Sequence, residues 1–309
     1  MSGTHVYDMI VVGGGPGGYT AALYAARAGL DTLVLEKLSA GGQMALTGVI
    51  DNYPGYEEGI DGFTLGEKMQ QQAQRFGAKT EYAQVERADL TASPKVLHTS
   101  EGDFYARTVA LATGADPRQL GLEHEAALTG RGVAYCAACD GMRYKGKTVV
   151  VVGGGNSAAE DALLLSRIAE KVILVHRRDT LRATKVYHQP LMQAKNVEFR
   201  WNSTVAELLH DDKLTGVKLR DVNTGEETVL PCDGVFISVG RKPATQLAEG
   251  QLALDAGGYI VADETTRTSV PGVYAVGDVR TKLLRQVVTA VADGAMAVHM
   301  AEEYLASGI

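Results

Sequence analysis

Short apolar runs that end in glycine recur along the chain, and they read as buried strands running into glycine-rich turns. Residues 7–12 run into Gly13-Gly14-Gly15-Pro16-Gly17-Gly18; the alanine-rich residues 19–27 then form a helix, and Thr32–Glu36 is a second strand that ends in an acid. The order repeats further on. Thr148–Val152 leads into Gly153-Gly154-Gly155-Asn156-Ser157-Ala158, followed by a helix over 159–169 and the strand Lys171–Val175. Residues 109–117 and 234–243 also echo one another, each a buried strand, a glycine and then a proline that marks a turn out of a sheet. One more short strand opens on Gly277-Asp278, and a long helical pattern over 287–305 follows Arg285-Gln286. No apolar run approaches the 18 or so residues that a membrane span requires.

Strand, G-x-G-x-x-G, helix, strand and carboxylate make the dinucleotide fingerprint. Gly13, Gly15 and Gly18, with Pro16 between them, let backbone approach a pyrophosphate, and the helix N-terminus offers free N–H groups. Glu36 stands at the spacing of a ribose-hydroxyl acceptor. Without that context the glycines would be only a turn. In the second copy Ala158 replaces the last glycine, as the fingerprint permits, and Gly155, Asn156 and Ser157 open the helix. The second strand there ends in His176-Arg177-Arg178, with Arg182 beyond, in place of an acid. Arginines offer permanently charged, fork-shaped donors to a 2′-phosphate, so the second nucleotide reads as NADPH rather than NADH; the alternative is a solvated basic turn. The fold class is therefore α/β, with two Rossmann-like dinucleotide-binding domains. The NADPH domain, residues 117–245, is inserted into an FAD domain built from 1–116 and 246–309.

Composition narrows the chemistry. With 45% hydrophobic and 22% charged residues, the 309-residue chain has enough apolar content for full cores. A net charge of −7 argues against a general nucleic-acid binder. The start reads as a first strand rather than a secretion signal, since no basic region precedes it. Only three cysteines occur, two of them in Cys136-Ala137-Ala138-Cys139-Asp140-Gly141. Haem attachment would need His after the second cysteine, where Asp140 stands. Zinc would need four ligands, with Cys232 or histidines brought from afar. Two buried structural cysteines would not call for the Asp-Gly that follows. The pair reads as a redox dithiol, and a carboxylate beside it suits chemistry that moves protons on and off sulfur. A cycling dithiol fits a cytoplasmic protein. Because NADPH carries hydride and a dithiol takes two electrons and two protons, a flavin must convert between them, so the first site should hold FAD.

At this point the chain resembles the low-molecular-weight, bacterial-type thioredoxin reductases of the pyridine nucleotide-disulfide oxidoreductase family over essentially its full length. The matching segments are the first fingerprint, Gly41-Gly42-Gln43-Met44, Asn52-Tyr53-Pro54-Gly55, Ala112-Thr113-Gly114, the Cys136–Cys139 pair with Asp140, His176-Arg177-Arg178 with Arg182, Gly277-Asp278 and Arg285-Gln286. The resemblance implies that Cys136 attacks the thioredoxin disulfide, that Cys139 exchanges electrons with the flavin, and that Asp140 is the acid/base. It implies that Gly13, Gly15, Gly18 and Glu36 hold the adenosine and pyrophosphate of FAD. Gly42, Gln43, Asn52, Ala112, Thr113, Gly114, Gly277, Asp278, Arg285, Gln286 and Val287 would line the rest of that cofactor. Gly155, Asn156, Ser157, Ala158, His176, Arg177, Arg178 and Arg182 would hold NADPH. Ala137-Ala138 stands where Ala-Thr is common in the family, a difference expected to tune potential. The family is usually a homodimer and uses no metal. It also implies that the inserted domain reorients in turnover, since two groups on it must each reach one flavin.

Two other functions share parts of this pattern. A reductase of the same fold serving ferredoxin would be expected to lack the basic cluster, and one serving a peroxidase to carry an additional thioredoxin-like domain. A glutaredoxin-like protein is a further candidate partner of such a reductase. A non-enzymatic redox or nucleotide sensor would not turn over NADPH repeatedly.

Overall fold

The computed structural model describes residues 5–46 and 49–307. The chain divides into two compact units, one of Met1–Asp116 with Lys242–Ile309 and one of Pro117–Arg241. The sequence reading put the return crossing after residue 245; the chain divides at Arg241. There the strand Arg241–Pro243 pairs with Ala115–Pro117. Beyond the paired strands, the Ala244 N–H donates to the Gly114 carbonyl at 3.0 Å.

The first unit is built on parallel strands in the order Lys79–Tyr82, Thr32–Glu36, Val6–Val12, Gly102–Leu111 and Val273–Ala275. The long strand Gly102–Leu111 is shared at its outer edge. Its first half pairs antiparallel with Lys95–Thr99, and its last three residues take Val273–Ala275. The chain returning from the second unit is fixed to the sheet at that point. Both faces of the sheet are covered at its centre, which is why the central strands Val6–Val12 and Thr32–Glu36 carry apolar runs without alternation. Ile10, Leu33, Leu35 and Val109 belong to one buried cluster, and Met9, Val11, Val34 and Ala110 to the other. The second face is covered by the helices Pro16–Arg27 and Val287–Ala306. These helices meet through glycine: a Cβ on Gly294 would lie 2.3 Å from the Gly17 carbonyl oxygen, so neither helix could approach this closely with a side chain there.

The second unit repeats the plan. Its parallel sheet runs Val197–Arg200, Lys171–Val175, Thr148–Val152, Gly234–Ile237 and Val133–Ala134. An antiparallel sheet of Ser203–His210, Leu214–Asp221 and Glu227–Pro231 connects the outermost of these strands to Gly234–Ile237. In each unit the first strand of the fingerprint lies between its second strand and the last long one. This is the topological switch point at which open α/β sheets take ligands.

Both fingerprint helices start three residues earlier than the apolar pattern suggests, at Pro16 and Asn156, with Gly15 and Gly155 as their N-caps. Proline suits the first helical position because its missing N–H has no intrahelical partner to lose. The second of them ends at Ser166 rather than residue 169, where the N–H groups of Arg167 and Ile168 close tighter turns onto the Leu164 and Leu165 carbonyls three residues back. No helix among the described residues is long and apolar enough to cross a membrane.

Candidate functional site

In the first unit the glycine turn closes on its neighbours and leaves one side open. A Cβ on Gly18 would sit 1.9 Å from the Gly13 carbonyl oxygen, so the helix can press against the turn only with glycine there. Gly15, at the helix N-terminus, has nothing among the described residues, its chain neighbours aside, within 4 Å of where its Cβ would be. Free N–H groups facing open ground are what a pyrophosphate needs. Glu36 is buried at the end of its strand, its Oε2 accepting from the Gly14 N–H and its Oε1 from the Leu38 N–H.

Other predicted residues are tied to this turn. The carbonyl of Ala112 packs on Gly13, while the Ala112 N–H donates to the Val12 carbonyl. Gly42 packs against Gly15, and the Gly41 N–H donates to the Gly14 carbonyl. Gln43 Nε2 donates to Asp116 at 2.7 Å, and the Thr113 hydroxyl to the Ala244 carbonyl at 2.6 Å. Asn52 Nδ2 donates to Gln286 Oε1 at 2.9 Å. Gln286 forms a capping box with Thr289, and Val287 packs on Met44, Ile50 and Leu65. Arg285 donates to the Asp278 carbonyl and lies over the Tyr259 ring at 4.1 Å.

A buried ion triad supports the Gly277-Asp278 turn, and the sequence reading missed it. Asp293 accepts from the Gly277 N–H at 2.9 Å, from Arg280 at 2.7 and 3.0 Å, and from Lys282 at 2.7 Å. Burial alone would raise the Asp293 carboxyl; the bonds from Arg280 and Lys282 outweigh it and hold the group below the usual range.

In the second unit Gly155 is likewise open, with no atom of the described residues, its chain neighbours aside, within 4 Å of a would-be Cβ. Ala158 closes against Gly153, Ser157 is exposed on the first helical turn, and Asn156 Oδ1 accepts from the Thr184 N–H. Strand register pairs Val12 with Leu35 and Val152 with Val175, so His176 occupies the place that Glu36 has in the first unit. Its ring fills the ground under Gly154, where a Cβ would lie 2.2 Å from it. His176 is 4% exposed and its Nε2 has no hydrogen-bond partner among the described residues. Burial first, and then the charges of Arg182, Arg177 and Arg178, push its pKa down and keep the imidazole neutral. The three arginines are exposed. The segment after His176 is irregular rather than helical, and the Arg182 N–H donates to the Gly154 carbonyl at 2.7 Å, which folds the basic loop back onto the glycine turn.

Cys136 and Cys139 form a disulfide. Cys136 is the N-cap of the short helix Ala137–Asp140, and its sulfur accepts from the Cys139 N–H at 3.2 Å. Both cysteines are half-buried and Ala138 between them is exposed. A helix N-terminus favours the thiolate form of the sulfur that caps it. Asp140 is half-buried with Arg143 3.6 Å away; burial pushes its carboxyl up, against the pull of the guanidinium. Cys232 stands apart, buried, with its thiol pushed up to about 12 chiefly by burial, so it offers no thiolate near neutral pH. Among the described residues no group of three or more His, Cys, Asp or Glu could hold a metal ion.

A further carboxylate is tied to the residue before the pair, and it was not singled out from the sequence. Glu125, 3% exposed, accepts from the N–H groups of Leu120, Gly121 and Leu122 and from the hydroxyl of Tyr135, the residue before Cys136. Asp161, on the helix Asn156–Ser166 and likewise not singled out, accepts from the Ser238 hydroxyl.

The chain matches the family described as pyridine nucleotide-disulphide oxidoreductase over residues 7–294. It is 47% identical over 305 residues to a thioredoxin reductase of Streptomyces clavuligerus, covering 98% of this chain and 95% of that one. It is 45% identical over 301 residues to one of Listeria monocytogenes, covering 97% and 94%. A crystal structure of thioredoxin reductase from Streptococcus pyogenes superposes with a TM-score of 0.90 at 42% identity, covering 98% of this chain and 99% of that one.

Proposed function

This chain belongs to the pyridine nucleotide-disulphide oxidoreductase family, and from that membership we propose that it is an NADPH-dependent thioredoxin-disulfide reductase with FAD as its flavin. Family and relatives imply a flavin and a nicotinamide cofactor. The observation that carries the finer reading is the Cys136–Cys139 disulfide at the mouth of a short helix with half-buried Asp140 beside it. It lies in the same compact unit as a nucleotide turn whose acid is replaced by His176 and three arginines.

The residues fit both groups. The open N-terminus at Gly15, with Glu36 at the end of the second strand, suits the pyrophosphate and adenosine ribose of FAD. The open turn at Gly155 and the unpartnered His176 Nε2 leave polar capacity for a second nucleotide. Arg177, Arg178 and Arg182 suit its 2′-phosphate, where an acid would repel it. When bound, the two cofactors supply conversion of hydride into electron pairs for a disulfide.

The chain's own residues then do the thiol chemistry. In the reduced protein Cys136, helped by its capping position, attacks one sulfur of oxidised thioredoxin and forms a mixed disulfide. Asp140 supplies a proton to the departing thiolate. Cys139 attacks Cys136, the Cys136–Cys139 disulfide re-forms, and thioredoxin leaves with two electrons and two protons.

The nucleotide assignment is tested by replacing Arg177 and Arg178 with Ala and following NADPH oxidation in the presence of oxidised thioredoxin. Each charge-assisted bond lost costs about 1.5–3 kcal/mol, so the KM for NADPH should rise about tenfold or more per arginine while that for NADH stays put. An unchanged NADPH-to-NADH ratio would refute the 2′-phosphate site. NADPH oxidation by the unaltered protein that ignores thioredoxin would refute the function.

A further inference from the structure

Arg280, Lys282 and Asp293 put two cations on one carboxylate in the interior of the first unit. Arg280 already takes both oxygens, its Nε donating to Oδ2 at 3.0 Å and its Nη2 to Oδ1 at 2.7 Å, the fork that a carboxylate matches best. Oδ2 also accepts from the Gly277 N–H at 2.9 Å. Lys282 Nζ crowds onto the same Oδ2 at 2.7 Å and donates to the Thr289 carbonyl at 3.2 Å. The side chains of Arg280, Lys282 and Asp293 are 9, 7 and 8% exposed. Against burial, the bonds from Arg280 and Lys282 hold the Asp293 carboxyl below its usual range, so it carries a full negative charge. One positive charge is left in excess.

That excess has no account in stability. Desolvating a cation that lacks an anion of its own is costly, and an apolar side chain at Lys282 would avoid it. The neighbours do not cancel the charge. Half-buried Asp278 has the Arg285 guanidinium beside it, donating to its carbonyl. Asp263, the other carboxylate that Arg280 acts on, is exposed and bonded to Thr265. The excess stands behind the phosphate end of the first fingerprint. Gly294, the residue after Asp293, packs on the Gly17 carbonyl, and Val276, the residue before Gly277, packs on Gly17 as well. Gly17 lies in the first turn of the helix Pro16–Arg27, whose N-cap is the open Gly15.

We propose that Lys282 is a binding residue for the FAD pyrophosphate that acts through space: Asp293 holds its ammonium behind the first turn of the fingerprint helix, and the excess charge offsets the negative charge of the phosphates. The inference rests on the reading of the first unit as the FAD site. The free N–H groups at Gly15 give the pyrophosphate its direct bonds. Lys282 adds a full charge in an interior where water screens little, and Asp293 is the positioning residue that keeps it there.

The test reads how firmly the holoprotein holds FAD, by the fluorescence of flavin released on dilution. Lys282→Met keeps the length of the side chain and drops the charge, and should raise the Kd for FAD about tenfold. Lys282→Arg keeps the charge and should stay near the parent. The phosphorus resonances of bound FAD should move in Lys282→Met and keep their places in Lys282→Arg. A Lys282→Met protein that holds FAD as firmly as the parent overturns the inference. So does a Lys282→Arg protein that loses FAD as readily as Lys282→Met, since packing rather than charge would then decide. Should Lys282→Met fail to fold, Lys282→Gln, which keeps a donor for Asp293 without the charge, takes its place and must show the same loss. A parent protein that takes up no FAD strikes the proposed function itself, whereas one that holds FAD equally well whichever side chain stands at position 282 strikes this inference alone.

Discussion

Cys136→Ser and Cys139→Ser proteins should each lose thioredoxin reduction by on the order of 10⁴–10⁶-fold, the scale of removing a covalent nucleophile. Two electrons leave through one disulfide, so either sulfur alone can start an exchange but cannot complete it. With Cys136 absent, nothing caps the helix Ala137–Asp140 as a nucleophile. With Cys139 absent, the mixed disulfide on Cys136 has no resolving thiol. Bleaching of the flavin by NADPH should survive in both proteins, because the residues proposed to hold the nucleotide, Gly155, His176, Arg177, Arg178 and Arg182, are untouched. Cys232→Ser should behave like the parent, since that thiol is buried and held protonated. Steady-state assays with thioredoxin, beside anaerobic bleaching traces, check this. Full thioredoxin turnover in either of the first two variants would break the mechanism.

Asp140→Asn should slow the dithiol–disulfide half-reaction by about 10²–10⁴-fold, the usual worth of a positioned acid/base. The structure adds a pH signature. Burial raises the Asp140 carboxyl despite Arg143 at 3.6 Å, so the group keeps its proton to higher pH than a free aspartate. An acid that must be protonated gives a rate that falls as pH rises through its folded pKa. That limb should be present in the parent and missing from Asp140→Asn. Rapid-mixing traces that show only the NADPH step slowed would reassign the residue.

Much of this was legible in the sequence because the signals are local. The two fingerprints, the acid-to-His-Arg-Arg change at the second strand end and the Cys136–Cys139 spacing lie in consecutive residues, and short-range sterics fix what they become. Less legible were the supports that join segments far apart in sequence. Asp161 meets Ser238, Asp293 meets Gly277, Arg280 and Lys282, and Glu125 meets Tyr135. Two of these carried a signal that could have been read. Asp161 falls at the i+3 place of the stripe Ala158, Ala162, Leu165, and Asp293 at the i+3 place of Ala290, Gly294, Ala297. An acid on the buried face of a helix needs a buried partner, and that need points to a network. Which partner it finds depends on the sheet order, which no single segment encodes. Glu125 had no such pattern around it, since its donors are loop N–H groups and a tyrosine hydroxyl.

The central claim is that electrons pass from NADPH to thioredoxin through the flavin and the Cys136–Cys139 pair, and an anaerobic titration tests it most directly. Flavin and disulfide each accept two electrons, so the protein should absorb about two equivalents of NADPH per flavin, and the Cys136→Ser variant about one. Oxidised thioredoxin added to the fully reduced protein should restore the flavin colour and appear as dithiol. If one equivalent saturates the unaltered protein and added thioredoxin leaves both the flavin and itself unchanged, the account is wrong.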